Sequence, residues 1–349
     1  MIRVATAGES HGPQLTVILE GLPSGLPLDE DIIRADLERR QIALGAGGRM
    51  AIETDRATIV GGVLAGRTTG APVALTIANA NHAAWKGKEV PAYTTPRPGH
   101  ADFAAAVKYG YDDVRPALER ASARETASRV AAGACCRAML KAFGIEVKGR
   151  VVSLGGEACD GADETSARLV EQARKEGETL GGVIEVKATG VPVGLGSHVS
   201  ADRRLDARIA AAVMSIPAIK GVEFGDGFAL ARMKGTETRG RMGGLAGGIT
   251  DGEPLVVRAA MKPIPTTLKP QPTVDLATGE PTQTVYERSD VCPVPRAVVV
   301  AEAAVCLVLA DALSEKLGGD SLEEMKARFA QLPSTIRLSP AAKVFWPQA

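Results

Sequence analysis

The sequence predicts a mixed α and β fold that contains an internal duplication. Apolar and polar residues alternate along Gln14–Glu20 and along 183–189, which is the period of half-buried strands. One turn sequence occurs twice, which is the second observation. Helical spacing of apolar residues is the third, and it marks 29–41, 122–143, 163–177 and 297–317.

The repeated turn is GLPSGL at 21–26, which returns as GVPVGL at 190–195. Each copy follows a predicted strand and precedes a helix, so the pair indicates duplication inside one fold rather than two unlike domains. Two unrelated Gly/Pro turns are the alternative. We therefore predict one domain over 1–332 and a tail over 333–349, rich in proline and small residues, that is extended or disordered.

Composition excludes several classes of protein. The chain has 349 residues, 45% of them hydrophobic, which is enough for a large core. Lys+Arg and Asp+Glu number 41 each, so net charge indicates neither a nucleic-acid nor an acidic-membrane partner. The apolar stretch 297–312 contains Glu302 and ends at Asp311, which favours a buried helix over a membrane span.

The expected compartment is the cytoplasm. Residues 1–7 lack the basic and apolar run of a signal peptide. The five cysteines are odd in number and lack metal-ligand spacing, so we interpret them as reduced structural thiols and expect no metal.

The first candidate reactive loop is GESHGP at 8–13, which follows the first strand. Its glycines let backbone amides approach an anion, and Ser10 and His11 together suit an acid or proton relay. A Ser/His hydrolase is not favoured, because adjacent residues such as Ser10 and His11 do not normally point at each other. A hydrogen-bonded structural histidine is the alternative.

The second candidate loop is TTPRPGHAD at 94–102, stiffened by two prolines. It presents Arg97 and His100 from one short segment. We expect Asp102 to act mainly as the N-cap of a helix over 103–109. His82 and His198 lack such surroundings and are expected to be surface or hydrogen-bonded structural residues.

Arginines supply the third theme. Arg39, Arg40 and Arg49 bracket the glycine stretch 45–48, while Arg120 and Arg124 lie where the long helix begins. Planar guanidiniums at a helix N-terminus suit phosphate, although solvated helix ends are the alternative. Neither GxGxxG nor GxxxxGK[ST] occurs. These features together favour an enzyme that acts on a phosphate-bearing small molecule through His11 and His100.

Eight motifs in collinear order resemble the chorismate synthase family, over about residues 1 to 325. One such motif is weak evidence, but eight in order make coincidence improbable. They are GESHG at 8–12, RPGHAD at 97–102, RASARETASRVAAGA at 120–134, TLGG at 179–182, KGVEFGDGF at 220–228, GGLAGG at 243–248, KPIPT at 262–266 and RSDVC at 288–292.

The resemblance implies an α+β sandwich of antiparallel sheets enclosing helices, with internal pseudo-symmetry. It implies an anti-1,4-elimination in the shikimate pathway, where 5-enolpyruvylshikimate 3-phosphate loses phosphate and a C6 hydrogen to give chorismate. Reduced FMN is required and not consumed, with NADPH or an external flavin reductase as the source of electrons. Members are usually homotetramers.

The resemblance also implies roles for individual residues. His11 would assist the leaving phosphate, His100 would protonate reduced flavin near N1, Asp290 would take part in deprotonation through flavin N5, and Ser10 and Ser122 would be relay groups. Substrate anions would be held by Arg40, Arg49, Arg97, Arg124 and Arg288. Flavin would contact Arg120, Ala121, Ser122, Pro217, Ala218, Gly247, Lys262, Pro263, Ile264, Pro265, Thr266 and Arg288.

One position and one loop depart from the family pattern. Ala46 stands where an arginine is usual, and 234–242 is shorter than the usual loop before GGLAGG, with Arg241 expected to retain a cationic position at the site. These departures leave two alternatives open. One is a flavin reductase that uses NAD(P)H, and the other is a non-catalytic relative that binds phosphorylated ligands.

Overall fold

The computed structural model describes residues 1–42, 44–45, 54–286 and 289–338. Its helices are α1 (Glu30–Gln41), α2 (Asp102–Tyr109), α3 (Arg115–Arg120), α4 (Thr126–Lys141), α5 (Glu164–Glu176), α6 (Leu205–Met214), α7 (Val294–Leu317) and α8 (Leu322–Phe329). Its strands are β1 (Arg3–Ala7), β2 (Gln14–Glu20), β3 (Ala57–Gly61), β4 (Val63–Leu64), β5 (Arg67–Thr68), β6 (Val73–Ala78), β7 (Glu146–Leu154), β8 (Glu157–Ala158), β9 (Gly182–Thr189), β10 (Ile219–Phe224), β11 (Leu245–Ala246), β12 (Ile249–Thr250), β13 (Leu255–Met261), β14 (Pro272–Val274) and β15 (Pro281–Gln283).

Two antiparallel sheets repeat the same strand order, which confirms the predicted duplication. The first sheet runs β1-β2-β6-β3, and the second runs β7-β9-β13-β10 with β8 added beside β7. In each half the second strand lies centrally, is followed by a helix, and pairs with the last long strand. The fold is therefore two copies of one unit, as the repeated turn predicts.

The repeated turns make identical hydrogen bonds in the two halves. In the first copy the Thr68 hydroxyl donates to the carbonyl of the turn's proline at 2.5 Å and accepts from the amide of its last leucine at 3.0 Å. Thr250 makes the same two contacts in the second copy, at 2.6 and 2.9 Å. These buried polar groups are thus satisfied in the same way twice, so the sequence echo reflects true equivalence.

Helices fill the space between the two sheets. α4 packs on the first sheet, α7 packs on the second, and the two helices pack against each other. The alanines of α4 are buried there, and Gly133 is so close to Ala303 of α7 that a Cβ atom would overlap it. Small residues thus allow the two central helices to approach closely.

α7 is the core helix that the sequence predicted, although it begins three residues earlier than expected. Its 24 residues are long and apolar enough to cross a membrane, yet 78% of its most apolar window is buried inside the protein. Glu302 in its middle is fully buried and accepts hydrogen bonds from Arg39 and Arg137 at 2.7 to 2.8 Å. This ion cluster ties α7 to α1 and α4.

The other predicted elements are confirmed with small shifts at their ends. α1 begins after Asp29, whose carboxylate accepts from the Ile32 amide, and α5 is capped by Asp163 in the same way. The long helix starts at Thr126 rather than 122, because Ser122 caps a short 3₁₀ turn that precedes it. Residues 333–338 form neither helix nor strand.

We expect Gly133→Ala to destabilise the protein by about 1–2 kcal/mol. A methyl group there must displace α7, and overpacking of this kind costs about 1–3 kcal/mol, which exceeds the gain of about 1 kcal/mol in helix propensity. Urea denaturation measures the change. The control is Gly235→Ala, where the new methyl group meets open space, and we expect a change within about 0.5 kcal/mol. Equal effects of the two substitutions would contradict tight packing between α4 and α7.

Candidate active site

Both histidine loops open into one cavity of about 1120 Å³. The segments before α4 and before α7 form other parts of its wall, so the two halves of the fold meet there. Most of the predicted site residues are brought together in this way. Those that line the cavity are Ser10, His11, Arg40, Arg97, His100, Arg120, Ala121, Ser122, Arg124, Pro217, Ala218, Lys262, Ile264, Pro265, Thr266 and Asp290.

The other predicted site residues either lie away from the cavity wall or fall outside the described residues. Gly247 lies in the turn between β11 and β12, and neither it nor Pro263 is among the residues that line the cavity. Arg49, Arg288 and the departure at Ala46 lie outside the described residues.

The His11 loop is held in place from two sides. The Asn79 side-chain amide donates to the carbonyls of Glu9 and Gly12 at 3.1 and 2.8 Å. On the other side the Arg120 guanidinium donates to the Gly8 carbonyl at 3.2 Å. Three hydrogen bonds from two side chains thus fix a short loop, and Arg120, predicted for flavin, has a structural role as well.

His11 is oriented by a carboxylate that the sequence analysis missed. Glu119 of α3 lies 2.6 Å from His11 Nδ1 through Oε1, and its Oε2 accepts the His11 backbone N–H at 2.7 Å. With Nδ1 engaged, the Nε2 edge remains for a ligand, and the carboxylate at Nδ1 fixes the orientation of the ring. The sequence signal was faint: Glu119 precedes Arg120, but it is 108 residues from His11.

Two further residues support His11. The Trp85 ring packs on the imidazole with centroids 4.4 Å apart. His82 Nδ1 lies 3.0 Å from the His11 carbonyl, so His82 is a hydrogen-bonded structural residue, as predicted. Nothing in the sequence pattern pointed to Trp85, because its segment has no unusual motif.

His100 is oriented in the same manner by Asp102. The His100 Nδ1 lies 2.5 Å from Asp102 Oδ1, while Arg97 Nε donates to Oδ2 at 2.8 Å. The expectation that Asp102 is mainly a helix N-cap is wrong: α2 has no side-chain cap, and Asp102 is fully buried beneath Arg97 and His100. Burial alone would raise the Asp102 pKa, but hydrogen bonds from His100 and Arg97 outweigh it and hold the pKa well below its ordinary value.

Arg40 and Arg124 form a buried cluster around Asp55. Arg40 Nη1 donates to Asp55 Oδ2 at 2.8 Å, and Arg124 Nη1 donates to the other oxygen. Burial, followed by the charges of Arg124 and Arg296, lowers the Arg40 pKa to about 10, although Asp55 opposes this shift. The cation is therefore retained at neutral pH and is rigidly placed.

Asp290 also lies in an ion pair. Its Oδ2 lies 2.8 Å from Arg296 Nη1, and both side chains are largely buried in the cavity wall. Arg296 was not among the predicted site residues, since PVPR at 293–296 reads as the start of a helix.

The remaining wall suits a flat, partly anionic ligand. Ile264 and Pro265 supply an apolar surface beside Lys262 and Lys220, and burial followed by the charge of Lys220 lowers the Lys262 pKa. Elsewhere in the wall, the Ser10 hydroxyl donates to the Ser122 hydroxyl at 3.1 Å, which is close enough for proton exchange between them.

The short loop 234–242 closes on itself. The Lys234 backbone N–H donates to Glu237 at 2.8 Å, and Arg241 pairs with Asp226 at 2.8 Å. Arg241 is half exposed and is not part of the cavity wall, so the expectation that it keeps a cationic position at the site is wrong.

Over the described ranges no group of three His, Cys, Asp or Glu side chains could hold a metal ion. The chemistry of the wall instead combines cations with two carboxylate-backed imidazoles. Fold and cavity together are typical of an enzyme that acts on a small-molecule substrate.

Comparison with known proteins identifies the family. The family model for chorismate synthase matches residues 2–314. The chain is 51% identical to the chorismate synthase of Caldanaerobacter subterraneus subsp. tengcongensis over 351 residues, which covers 96% of this chain and 99% of that protein. It is 48% identical to that of Geobacter sulfurreducens over 383 residues, which covers 94% and 98%.

A solved structure agrees. A crystal structure of chorismate synthase superposes with a TM-score of 0.76 at 40% identity, and the match covers 94% of this chain and 96% of that one. The chain belongs to the chorismate synthase family. The duplicated α+β fold that the resemblance implied is therefore confirmed.

We expect Glu119→Gln to disturb His11 selectively. A glutamine can offer one oxygen, so either the His11 ring or its backbone N–H loses its acceptor, at a cost of about 1–3 kcal/mol. NMR of protein labelled with ¹⁵N-histidine should show changed His11 ring signals, while His100 signals stay unchanged. Glu178→Gln, which alters a surface pair with Lys269, is the matched control. Unchanged His11 signals would show that Glu119 does not orient the ring.

We expect Asp102→Asn to lower the free energy of unfolding by about 2–3 kcal/mol at neutral pH, because a buried ionic partner is lost. The sign of the pH dependence follows from the lowered pKa. The carboxylate stabilises the fold above its unfolded pKa of about 3.9, and this contribution disappears as pH falls toward the folded value. The difference between wild type and variant should therefore be steady from pH 7 to 5 and shrink below about pH 4.

Urea denaturation over this pH range measures the effect. Asp31→Asn removes an exposed carboxylate paired with Arg34 and should change stability by less than about 0.5 kcal/mol at every pH. A difference between wild type and Asp102→Asn that does not depend on pH would contradict this account.

Proposed function

We propose that this member of the family forms chorismate from 5-enolpyruvylshikimate 3-phosphate by anti-1,4-elimination of phosphate. The observation that carries the proposal is the meeting of His11 and His100, each backed by a carboxylate, in one cavity lined with arginines. Loss of phosphate needs a proton donor and cations close to the departing oxygen. The cavity offers both.

The cavity also fits reduced FMN beside the substrate. Pockets that take one small ligand have volumes of about 300–1,000 Å³, and this one has about 1120 Å³. Ile264 and Pro265 would contact the ring system, and Lys262 and Arg120 would contact anionic groups. Gly247 and Arg288 stay predicted flavin contacts. When bound, reduced FMN supplies electron density to the substrate and is not consumed.

His11 is the proposed acid toward the leaving phosphate. Glu119 engages Nδ1, so a proton carried at Nε2 faces the cavity. As phosphate departs, His11 Nε2 shares that proton with the leaving oxygen, and Glu119 keeps the ring oriented throughout. Ser10 and Ser122, in contact with each other, extend the polar chain next to it.

His100 holds its proton on the other side of the cavity. Asp102 engages its Nδ1, which leaves Nε2 to donate toward the flavin. Asp290 is the proposed group for removal of the substrate's C6 proton, in concert with the cofactor. Its ion pair with Arg296, with Oδ2 2.8 Å from Nη1, would hold the carboxylate in position at the cavity wall.

The substrate's anions would be held by the predicted arginines. Arg97, Arg40 and Arg124 line the cavity and are supported by Asp102 or Asp55. Such support fixes the guanidiniums before the ligand arrives, which lowers the cost of binding. Arg49 and Arg288 stay predictions, since they lie outside the described residues.

The proposal extends to the compartment, the assembly state and the source of electrons. The five cysteines are all free thiols, which suits a cytoplasmic enzyme. Exposed Phe103, Val107 and Tyr109 give α2 an apolar surface suited to subunit contact in a homotetramer. NADPH, used directly or through an external flavin reductase, is the proposed reductant. The sequence and structural comparisons favour chorismate synthase over a flavin reductase or a non-catalytic relative.

Anaerobic incubation of the purified protein with substrate and dithionite-reduced FMN should release chorismate and phosphate in equal amounts. Absence of both products would refute the proposed activity. A parallel reaction with oxidised FMN and NADPH in place of dithionite determines whether the protein reduces flavin by itself.

In the same assay, His11→Ala and His100→Ala should each lower kcat by about 10²–10⁴-fold, because each removes an acid–base group. Substrate affinity, measured by titration calorimetry, should change much less. His198→Ala is the control, since His198 is exposed and is not part of the cavity wall. Loss of affinity with unchanged kcat would make these histidines ligand-positioning groups.

A further inference from the structure

Two side chains hold the His11 imidazole, one at its edge and one against its face. At the edge, Glu119 Oε1 lies 2.6 Å from Nδ1. Against the face, the Trp85 ring lies with its centroid 4.4 Å from that of the imidazole and its plane inclined by 36°. The χ2 torsion of a histidine has broad energy wells, so a hydrogen bond at one nitrogen leaves the tilt of the ring free. The contact with Trp85 removes this freedom.

Trp85 is packed in turn by a cation. Cζ of Arg115 lies over the Trp85 ring, 5.8 Å from its centroid, and over the Tyr93 ring, 6.0 Å from its centroid. The electron-rich face of an aromatic ring attracts a guanidinium at this separation. Nη2 of Arg115 also donates to the Pro91 carbonyl at 3.2 Å, which ties the guanidinium to the segment after Trp85. The contacts therefore run without a break from the imidazole to Tyr93.

The helix α3 supports His11 through both contacts. Arg115 is its first residue, and Glu119 follows four residues later, one turn along the same side of the helix. Asp113, just before α3, accepts the backbone N–H groups of Arg115 and Tyr93 at 2.8 and 3.0 Å, so the segment that carries the aromatic side chains is fixed to the start of the helix. One short helix thus sets the position of the imidazole edge directly and that of its face through the indole.

The Trp85 ring is part of the cavity wall, next to the imidazole it contacts. Both Trp85 and His11 line the cavity, and the His11 side chain is only 18% exposed. The indole therefore covers imidazole surface that water would otherwise contact. Proton transfer requires the donor nitrogen to lie within hydrogen-bond reach of its acceptor, and a displacement of about 1 Å can lower the rate about 10²-fold. A change in the tilt of the ring moves Nε2 relative to a bound ligand.

We propose that Trp85 is a positioning residue for the proton transfer from His11, and that Arg115 keeps the indole in place. The indole sets the tilt of the imidazole, so that Nε2 points at the leaving oxygen while Glu119 holds Nδ1. The inference rests on the proposed function for the identity of that oxygen. The restraint on the ring does not, because it exists without a ligand.

NMR of the ligand-free protein tests the restraint alone. Protons that lie over an indole are shifted by its ring current, so the His11 ring protons report the contact. In protein with labelled histidine, Trp85→Leu should move the His11 ring signals while those of His100 stay unchanged, and Trp85→Phe should retain part of the shift. Arg115→Met should move the same signals by less. Unmoved His11 signals in Trp85→Leu would overturn the proposal, and in Arg115→Met they would remove Arg115 from it.

Phe228→Leu is the matched control. Phe228 is 82% exposed and lies outside the cavity wall, so loss of its ring should leave every histidine signal and the rate unchanged. Thermal melting of each variant excludes loss of folding as the cause.

The assay of chorismate formation then tests the consequence. Trp85→Leu should lower kcat about 10- to 100-fold and change KM by less than about threefold, because alignment of a proton donor acts on the chemical step. Trp85→Phe should recover most of the rate, since a phenyl ring still covers the imidazole. A raised KM with unchanged kcat would overturn the proposal and make Trp85 a ligand contact instead. If the wild type makes no chorismate, the proposed function fails, and the NMR comparison still decides whether Trp85 restrains His11.

Discussion

The close approach of α4 and α7 at Gly133 and Ala303 sets the geometry of everything else in this fold. Each helix belongs to one half of the duplication, and each begins at the wall of the same cavity. The segment before α4 carries Ser122 and Arg124, and the start of α7 carries Arg296 next to Asp290. Since the helices are rigid, their crossing fixes how far apart these groups lie, and a shift of α7 would change the distance between Arg124 and Asp290.

A second principle is that carboxylates, rather than solvent, hold the reactive groups. Glu119 orients His11, Asp102 orients His100, and Asp55 joins Arg40 to Arg124. Each carboxylate is buried or nearly so, which strengthens its contacts and prevents rearrangement when a ligand enters. Groups that are already in place need not reorganise during the reaction, and this is the main way a protein stabilises developing charge.

Sequence patterns predicted what is local or repeated. The strand β2 and the caps of α1 and α5 were found because period and capping residues are local signals, and the duplicated turns because their sequences are alike. Glu119, Asp55 and Trp85 were missed because they contact residues distant along the chain, such as His11 and Arg124, and their own segments are unremarkable. Arg296 lies close to Asp290 in the sequence, but PVPR at 293–296 is typical of a helix start. Asp102 was misassigned for a related reason: at this helix start an ion pair with Arg97 prevails over capping.

The charge balance of the wall bears on how a phosphate can bind and then leave. A cation that already shares a carboxylate attracts a further anion less strongly, because the carboxylate repels it. Arg40 and Arg124 are in this situation through Asp55, and Arg97 through Asp102. Under the proposed function, such paired cations would position the phosphorylated substrate without retaining the phosphate once it is free.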